Sequence, residues 1–470
     1  MNNNFKKQLN SRFINDKSKY NLVLKEYNNI LEQYSLTELQ IQAFNSILLG
    51  KNVFLTGAGG TGKTFILNIF IKFYKDLINE GVLSITSTTG CSASLLNGIT
   101  LHSWAGIGLG NKLVDYYYND IIKNLTKKKN WIKTEVLIID EISMLNPELL
   151  EKLEILARKL RKNNQMFGGI QVILSGDFCQ LPNVDTQEFC FESIIWESLI
   201  DETFYFKEVL RQNDEVFLNI LSNIRNGFTN EEDKNILNSR LTEKLKKNDC
   251  GILPTVLYSR KKNVKDYNEK QLQKLIVEGN EKMEYKCIYE FPKNQSPLYQ
   301  EFLKTQIDKN ESIPDLIVLT IGAQIMITNN YKLEDDTQLF NGKRGVIIGF
   351  SLKRLPIVRF LNGVDKTIDY YEWNLDLGKD MKITKKQLPI KLAWAITIHK
   401  SQGLTLDYVY TDIGGSIFEY GQTYVVLSRV RSLDSLFLKN IDYTKIKTHP
   451  KVIQYYNSIT FKEDDNLFNT

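Results

Sequence analysis

A glycine-rich segment near the start of the chain contains the residue types that bind phosphate. Residues 57–64 read GAGGTGKT and fit the pattern GxxxxGK[ST]. Glycines let backbone N–H groups surround a phosphate, and the N-terminus of a following helix adds a favourable dipole. In this chemistry Lys63 reaches the β- and γ-phosphates of a nucleotide and Thr64 binds Mg²⁺. The other loop positions expected to contact the nucleotide are Gly57, Ala58, Gly59, Gly60, Thr61 and Gly62.

Two adjacent carboxylates could complete such a site. Asp140 and Glu141 follow the apolar run VLII at 136–139. A carboxylate at the tip of a strand can hold Mg²⁺, and its neighbour can activate the attacking water. We therefore predict that Asp140 binds Mg²⁺ and that Glu141 acts as the base. The two motifs indicate hydrolysis or transfer of a nucleoside triphosphate, which nucleoside kinases and GTPases also perform.

These residues need a strand before the loop and a helix after it, and the sequence predicts both. Residues 52–56 form a short apolar strand pattern, and residues 63–80 have apolar side chains at helical spacing, with Gly81 at the expected helix end. Asn146 and Pro147 are typical of a helix start. Further buried strands are predicted at 82–86, 135–140 and 170–175. Alternating strands and helices imply a parallel sheet.

A second stretch of alternating strands and helices begins near residue 253 and resumes at 388–399. Between about 340 and 388, short strand patterns and an Asn341-Gly342 turn predict a small β-rich insertion. The sequence thus predicts an α/β protein with two stretches of alternating strands and helices.

Composition restricts the binding partners and the cellular compartment less tightly than the motifs restrict the chemistry. The 470 residues carry 60 basic and 55 acidic side chains, so nucleic-acid binding is permitted without being demonstrated. The five cysteines form no CxxC pair, which disfavours a zinc site and favours a reducing intracellular compartment. No apolar run is long enough to span a bilayer, so we expect a soluble protein without a membrane partner. Lys6, Lys7 and Arg12 leave mitochondrial import open, although Asp16 weakens it; nucleus, cytoplasm and a viral replication site are not distinguished.

Further sequence blocks follow the phosphate motif in a characteristic order. They include SLTELQIQAF at 35–44, TSTTGCSASLLNGITLHSWAGIGLG at 86–110, FGGIQVILSGDFCQLP at 167–182, AITIHKSQGLTLD at 395–407 and YVVLSRVRS at 424–432. With these blocks the chain resembles the Pif (petite integration frequency) family of superfamily 1B helicases, relatives of RecD, over about residues 35–440. The resemblance implies two RecA-like P-loop NTPase lobes, each a parallel sheet flanked by helices, with an SH3-like β-rich insertion in the second lobe.

The resemblance also implies roles for single residues in an ATP site between the lobes. Gln40 matches the glutamine that reads adenine, and Gln180 matches the sensor of the γ-phosphate. Arg211 and Arg429 match arginines that reach the nucleotide from the second side of the cleft, where a cation that arrives on closure stabilises developing charge. Asp177 is expected to support the Mg²⁺ shell. Gly403 is expected to contact ATP.

The strand-binding residues implied by the resemblance fall in two groups. The first lobe would contribute Thr89, His102, Ser103 and Trp104. The second lobe would contribute Thr397, His399, Lys400, Ser401 and Gln402. Hydroxyl and lysine side chains suit phosphates, and tryptophan or histidine suits base stacking. For Trp104, burial in the core is an alternative that the sequence supports almost as well.

The predicted organisation is a leader at 1–34, lobes at 35–208 and 209–445, and a tail at 446–470, with 105–133 as the candidate wedge. The resemblance implies an ATP- and Mg²⁺-dependent helicase, acting as a monomer, that translocates 5′ to 3′ on single-stranded DNA and unwinds forked duplex DNA in replication, repair or recombination. Two alternatives stay open: an ATPase that acts on RNA or translocates without strand separation, and a DNA-binding scaffold switched by ATP. A small-molecule kinase offers no role for the HKSQG block or Arg429.

Overall fold

Runs of apolar residues become buried strands in the computed structural model. It describes all residues except 1–2, 13–16, 78–81, 184–185, 211–213, 244, 246–250, 294, 311–313, 334, 379–380 and 469–470. The chain forms two compact units. Unit 1 comprises Met1–Lys234, Phe418–Leu433 and Tyr443–Thr470, and unit 2 comprises Asn235–Ile417 and Asp434–Asp442.

The part of the chain that precedes residue 240 contains twelve helices and six strands among its described residues. The helices are α1 (Asn3–Arg12), α2 (Lys17–Gln33), α3 (Glu38–Leu48), α4 (Lys63–Leu77), α5 (Gly90–Leu95), α6 (Leu101–Ala105), α7 (Val114–Lys123), α8 (Leu125–Lys133), α9 (Pro147–Arg161), α10 (Trp196–Leu199), α11 (Glu215–Arg225) and α12 (Glu231–Asn238). The strands are β1 (Val53–Gly57), β2 (Leu83–Ser87), β3 (Ile99–Thr100), β4 (Val136–Asp140), β5 (Gln171–Gly176) and β6 (Glu202–Phe206).

These six strands form one parallel sheet in the order β3-β2-β4-β5-β1-β6. Every residue of β1, β4 and β5 is buried, as expected for a parallel sheet covered by helices on both faces. The register sets Thr56 beside Gly176 and Ser87 beside Asp140, so the carboxyl ends of the central strands lie at one edge. This edge carries the phosphate-binding loop and the paired carboxylates.

The predicted strands of this lobe are confirmed, as is the helix start at Asn146, whose side chain accepts a hydrogen bond from Leu149 N at 2.7 Å. Gly81, the predicted end of α4, lies outside the described residues. Among the described residues of the leader, 3–12 and 17–33 are helical, and Val23, Tyr27 and Ile30 of α2 are buried in the same core as the sheet. Segment 17–33 is therefore a structural part of unit 1.

Unit 2 contains a second parallel sheet and several antiparallel ones. Its helices are α13 (Lys261–Val277), α14 (Pro297–Asn310) and α15 (Ile398–Ser401). Its strands are β7 (Thr255–Tyr258), β8 (Lys282–Lys286), β9 (Ile288–Glu290), β10 (Leu316–Thr320), β11 (Gln324–Ile327), β12 (Tyr331–Lys332), β13 (Gln338–Leu339), β14 (Arg344–Phe350), β15 (Pro356–Phe360), β16 (Asp365–Thr367), β17 (Tyr371–Gly378), β18 (Met381–Gln387), β19 (Ile390–Leu392), β20 (Ala395–Thr397), β21 (Val409–Ile413) and β22 (Leu436–Ile441).

The parallel sheet of unit 2 has the order β20-β7-β21-β22. The predicted insertion is present as antiparallel sheets with the orders β16-β15-β14-β11-β19 and β17-β18-β9. Its predicted bounds were too narrow. β9 and β11, from outside 340–388, pair with β18 and β14 of the insertion, and β19 joins the same sheet by pairing with β11.

The chain returns to unit 1 twice after β21. Helix α16 (Gln422–Leu427) precedes β22, and α17 (Pro450–Phe468) follows it. The unit boundaries therefore differ from the predicted lobes, which separated at 208/209 and assigned 418–433 to the second lobe. Sequence order could not show that 418–433 belongs to unit 1. Helix α16 packs against α11 of unit 1, whereas the strands on either side of it, β21 and β22, pair in unit 2. Among the described residues, no helix has the length and apolar character required to cross a membrane.

Candidate nucleotide-binding site

The phosphate-binding loop runs from the end of β1 to the start of α4, and glycine is required in it. Gly57 has a φ of +139°, and a methyl group there would lie 2.2 Å from the carbonyl oxygen of Phe206. Lys63 Nζ donates hydrogen bonds to the carbonyl oxygens of Gly57 at 2.7 Å and Ala58 at 2.9 Å. Burial lowers the pKa of Lys63, whereas nearby carboxylates oppose this effect. The lysine is thus held within the loop, beside the amides that can bind phosphate.

The predicted carboxylate pair lies at the end of β4 and is held in place by the neighbouring strand β2. Ser87 Oγ and Thr88 N donate to the carbonyl oxygen of Asp140 at 3.1 and 3.2 Å, and Thr88 Oγ1 donates to that of Glu141 at 2.8 Å. Glu141 has φ 55° and ψ 46°, a left-handed conformation that costs a non-glycine residue about 1–3 kcal/mol. The surrounding hydrogen bonds therefore fix an unfavourable backbone at a position expected to perform chemistry.

Burial, and then the charge of Glu141, raise the pKa of Asp140 to about 7. A divalent cation at this carboxylate would favour its ionised form. No cluster of three or more metal-ligating side chains occurs among the residues that the structure describes. Mg²⁺ at a nucleotide site needs only one or two protein carboxylates, with phosphates and water as its other ligands. The donor set of Asp140 and Thr64 fits that requirement.

Gln40 lies against the phosphate-binding loop. Its Oε1 accepts a hydrogen bond from Thr37 N at 3.1 Å, and Gln40 N donates to Thr37 Oγ1 at 3.3 Å, so the pair caps α3. The Gln40 Nε2 atom is 3.5 Å from the carbonyl oxygen of Thr61, and a methyl group on Gly62 would lie 2.4 Å from it. The capping box thus fixes this buried amide next to the loop, where the sequence predicts adenine recognition.

Gln180, the predicted γ-phosphate sensor, lies in the loop after β5. Its side chain is buried, and its Oε1 accepts no hydrogen bond from the described residues. A buried amide oxygen is costly without a partner, which is typical of a group reserved for a ligand or a switch.

Arg225 belongs to the site although the sequence analysis did not identify it. At the end of α11 it forms a two-point ion pair with Asp177, with Nη2–Oδ1 at 2.8 Å and Nε–Oδ2 at 3.2 Å. Burial raises the pKa of Asp177, but Arg225 outweighs this effect and the net shift is downward. Asp177 also accepts from Cys179 N at 3.1 Å, so its oxygens hold the sensor loop, and its support of the Mg²⁺ shell stays a prediction. The sequence did contain one indication that Arg225 is buried. It lies four residues after Leu221, on the apolar face of α11.

Arg429 lies beside the phosphate-binding loop within unit 1. Its Nε donates to the carbonyl oxygen of Val425 at 2.7 Å, and its guanidinium is buried. A methyl group on Gly59 would lie 3.6 Å from Arg429 Nη2. Tyr424, which the sequence did not single out, accepts a hydrogen bond from Gly59 N at 2.9 Å. Residues 418–433 belong to the same unit as the loop, although they connect β21 and β22 of the second parallel sheet, and the role of Arg429 at the nucleotide stays a prediction.

The other two predicted nucleotide contacts are not placed at this site. Arg211 lies outside the described residues. Gly403 lies in unit 2, where its φ of +78° suits glycine, and its assignment to ATP stays a prediction.

The first predicted strand-binding group is divided between surface and core. Thr89 caps α5 by accepting from Ser92 N at 3.2 Å, and Ser103 is exposed. His102 is half-buried, and burial lowers its pKa. Trp104 is only 2% exposed, and its Nε1 donates to Ser84 Oγ at 2.9 Å. Its ring lies in the core beside Trp131 and cannot stack on a base in this conformation, which corrects the prediction of a DNA contact.

The second group forms a short turn in unit 2. Thr397 accepts from Lys400 N at 3.2 Å, and Ser401 Oγ donates to the carbonyl oxygen of Ile398 at 2.7 Å. Thr397, Ser401 and Gln402 are buried, His399 is half-buried and Lys400 is exposed. The buried hydroxyls stabilise the turn, so Lys400 is the member of the group best exposed to bind a strand.

The candidate wedge at 105–133 consists mainly of α7 and α8. Leu109, Leu113 and Leu125 are 86%, 79% and 82% exposed. Trp131 is buried, and its Nε1 donates to the carbonyl oxygen of Ala105 at 3.0 Å, which joins the two ends of the segment. Singly exposed leucines do not by themselves mark a contact surface, so the wedge stays a prediction.

Comparison with known proteins identifies the relatives of this chain. Residues 32–235 match the PIF1-like helicase family model. The chain is 36% identical to the ATP-dependent DNA helicase PIF1 of Xenopus laevis, covering 91% of this chain and 65% of that protein. It is similar to the crystal structure of Pif1 helicase from Candida albicans, with 34% identity, a TM-score of 0.77, and coverage of 91% of this chain and 100% of that one. The crystal structure of Bacteroides Pif1 bound to ssDNA is 26% identical, with a TM-score of 0.64 and coverage of 92% and 98%.

Proposed function

Because this chain belongs to the PIF1-like helicase family, whose relatives include ATP-dependent DNA helicases, we propose that it is an ATP-dependent DNA helicase that moves 5′ to 3′ on single-stranded DNA. One observation carries the catalytic part of the proposal. The lysine of the phosphate-binding loop, the paired carboxylates and a buried arginine beside Gly59 belong to a single compact unit. These are the groups needed to position a triphosphate, activate water and stabilise developing charge.

Each group has a distinct task in hydrolysis. Lys63 and the loop amides bind and orient the β- and γ-phosphates. Asp140 and Thr64 would hold Mg²⁺, which supplies charge neutralisation and orientation of the phosphates. Glu141 takes the proton from the attacking water. Arg429, together with Arg211 if it reaches the same phosphate, stabilises the charge that develops on the γ-phosphate. Gln40 recognises adenine, and Gln180 senses the γ-phosphate.

Strand binding would use residues from both units. Thr89, Ser103 and half-buried His102 in unit 1 and Lys400 in unit 2 offer hydroxyl, imidazole and ammonium groups suited to a phosphate backbone. Half-buried His399 lies next to Lys400 and would join it. Contacts of this kind are largely independent of base sequence and weaken with salt. The exposed leucines of the wedge would separate the strands at a fork.

Measurement of ATP hydrolysis with and without DNA tests the proposal. Single-stranded DNA should stimulate hydrolysis strongly in the wild type, and Lys63→Ala should abolish hydrolysis while still binding DNA at low salt. Thr61, a neighbouring loop residue, offers the control Thr61→Ser, which retains the hydroxyl that donates to Ala58 at 2.9 Å and should retain activity. Wild-type turnover by Lys63→Ala would overturn the assignment of the loop, and stimulation by RNA alone would favour an RNA-directed ATPase.

A further inference from the structure

A single buried hydroxyl joins two segments of the nucleotide site. Tyr456 OH, on α17, lies 2.7 Å from Thr56 Oγ1 and accepts a hydrogen bond from Phe178 N at 3.0 Å. It also donates to Asp177 Oδ1 at 3.1 Å. A phenol has one proton to donate and two lone pairs to accept, so these three bonds are compatible when Thr56 is a donor.

We propose that Tyr456 is a positioning residue for ATP hydrolysis, which sets the spacing between the phosphate-binding loop and the sensor loop. The inference rests on the proposed ATPase function and extends it to the C-terminal helix. Tyr456 acts through Thr56, Asp177 and Phe178, which are neighbours of the phosphate-binding groups in the sequence.

The sequence positions of the partners explain this role. Thr56 is the last residue before Gly57, where the phosphate-binding loop turns away from β1. Asp177 and Phe178 follow β5 and precede Gln180 in the sensor loop. The parallel register sets Thr56 beside Gly176. Tyr456 OH then links Thr56 to Asp177, the residue that follows Gly176. Fixed spacing matters at this point, because a small displacement of catalytic groups can slow a reaction strongly.

The surroundings of Tyr456 hold its ring in one orientation. The guanidinium carbon of Arg225 lies 4.8 Å from the ring centroid, and the Tyr205 ring stacks at 5.3 Å. Arg225 is the same residue that pairs with Asp177, so α11, α17 and the sensor loop share one buried network. Burial, followed by the charge of Asp177, raises the pKa of Tyr456. The hydroxyl therefore stays protonated and continues to donate to Asp177.

The neighbouring tyrosine offers a matched control. Tyr455 lies on the same helix and in the same aromatic cluster, and its OH accepts a hydrogen bond from Trp196 Nε1 at 3.1 Å. This hydrogen bond joins the Tyr455 hydroxyl to α10 and not to Thr56 or Asp177. Phenylalanine at either position removes one phenol hydroxyl and keeps the ring. Tyr455 is half-buried and Tyr456 is buried, so a structural role predicts a larger loss of Tm for Tyr456→Phe, whereas only a positioning role predicts a loss of kcat below the unfolding temperature.

The experiment measures kcat and KM for ATP with saturating single-stranded DNA, together with Tm, for the full chain and both variants. Tyr456→Phe should lower kcat by about tenfold, as expected when one hydrogen bond that orients catalytic groups is lost, with little change in KM. Tyr455→Phe should lower Tm less and retain kcat. Equal kcat values for the two variants, or a loss explained by unfolding at the assay temperature, would overturn the inference. Absence of hydrolysis in the wild type would instead overturn the proposed function.

Discussion

Replacement of Arg225 by methionine tests whether the sensor loop is held by a buried ion pair. Methionine retains a long apolar side chain and removes the charge. In the wild type two guanidinium nitrogens contact Asp177, at 2.8 and 3.2 Å, and the two side chains are 7% and 0% exposed. A third nitrogen, Nη1, donates to Tyr205 OH at 2.9 Å. After the substitution Asp177 would be a buried carboxylate without its cation.

The expected magnitude follows from the burial of the pair. Breaking a buried ion pair by removing one partner costs about 3–5 kcal/mol. The pair Arg359–Asp365 provides a matched control, because it also makes two contacts, both at 2.8 Å, but its side chains are 44% and 37% exposed. An exposed pair contributes far less, because water screens its charges and both side chains lose conformational freedom. Since the two pairs have similar geometry, the difference between Arg225→Met and Arg359→Met measures the effect of burial.

Denaturant unfolding at several pH values provides the assay. Burial opposes ionisation of Asp177, but Arg225 lowers its pKa in the native state. The stabilisation is therefore present above the unfolded pKa of roughly 4 and is lost as the pH falls through the lowered native pKa. The deficit of Arg225→Met should be largest at neutral pH and should shrink in acid, where Asp177 can take up a proton. A deficit equal to that of Arg359→Met, or one that grows in acid, would refute the reasoning.

Three further predictions concern the chemistry and the strand. Burial and Glu141 raise the pKa of Asp140 to about 7, so Mg²⁺-dependent nucleotide binding, measured by calorimetry, should strengthen between pH values of about 6 and 8. Asp140→Asn should remove this dependence, and persistence of the dependence would exclude Asp140 as its source. Arg429→Ala should lower DNA-stimulated kcat by about 10³-fold or more while ATP affinity falls far less. Arg429→Lys should restore little of the lost kcat, because an ammonium lacks the planar guanidinium. A kcat within a few-fold of wild type would show that Arg429 has no role in the chemistry. Lys400→Ala should weaken single-strand binding and reduce its salt dependence by about one released ion, whereas Trp104→Phe should lower stability and leave DNA affinity unchanged. The reverse pattern would show that Trp104 leaves the core to bind DNA.

The catalytic loop and the carboxylate pair could be predicted because their chemistry is local. A glycine-rich turn, a lysine and two carboxylates at strand ends are recognisable from short runs of residues, and the parallel sheet then brings the strand ends to one edge. The boundaries of the insertion were less predictable, because its sheets include strands that are distant in sequence. β9 pairs with β18, and β19 pairs with β11.

The remaining site residues depend on long-range packing. Arg225, Tyr424 and Tyr456 lie on three helices that come together only in the folded unit, and none is part of a glycine-rich or acidic motif. Trp104 was assigned to a site that its side chain does not reach in this conformation. Its position inside a motif suggested a DNA contact, whereas the fold buries its ring in the core. Motif position predicts which segments form a site, whereas the burial of each side chain decides what it can contact.

The most direct test of the proposed activity is strand displacement on duplexes with a single-stranded tail at either the 5′ or the 3′ end. With ATP and Mg²⁺ the wild type should unwind the 5′-tailed substrate and leave the 3′-tailed one intact, and Lys63→Ala should unwind neither. Unwinding that requires a 3′ tail would contradict the proposed direction. ATP hydrolysis without displacement of either substrate would show a translocase or a switched scaffold in place of a helicase.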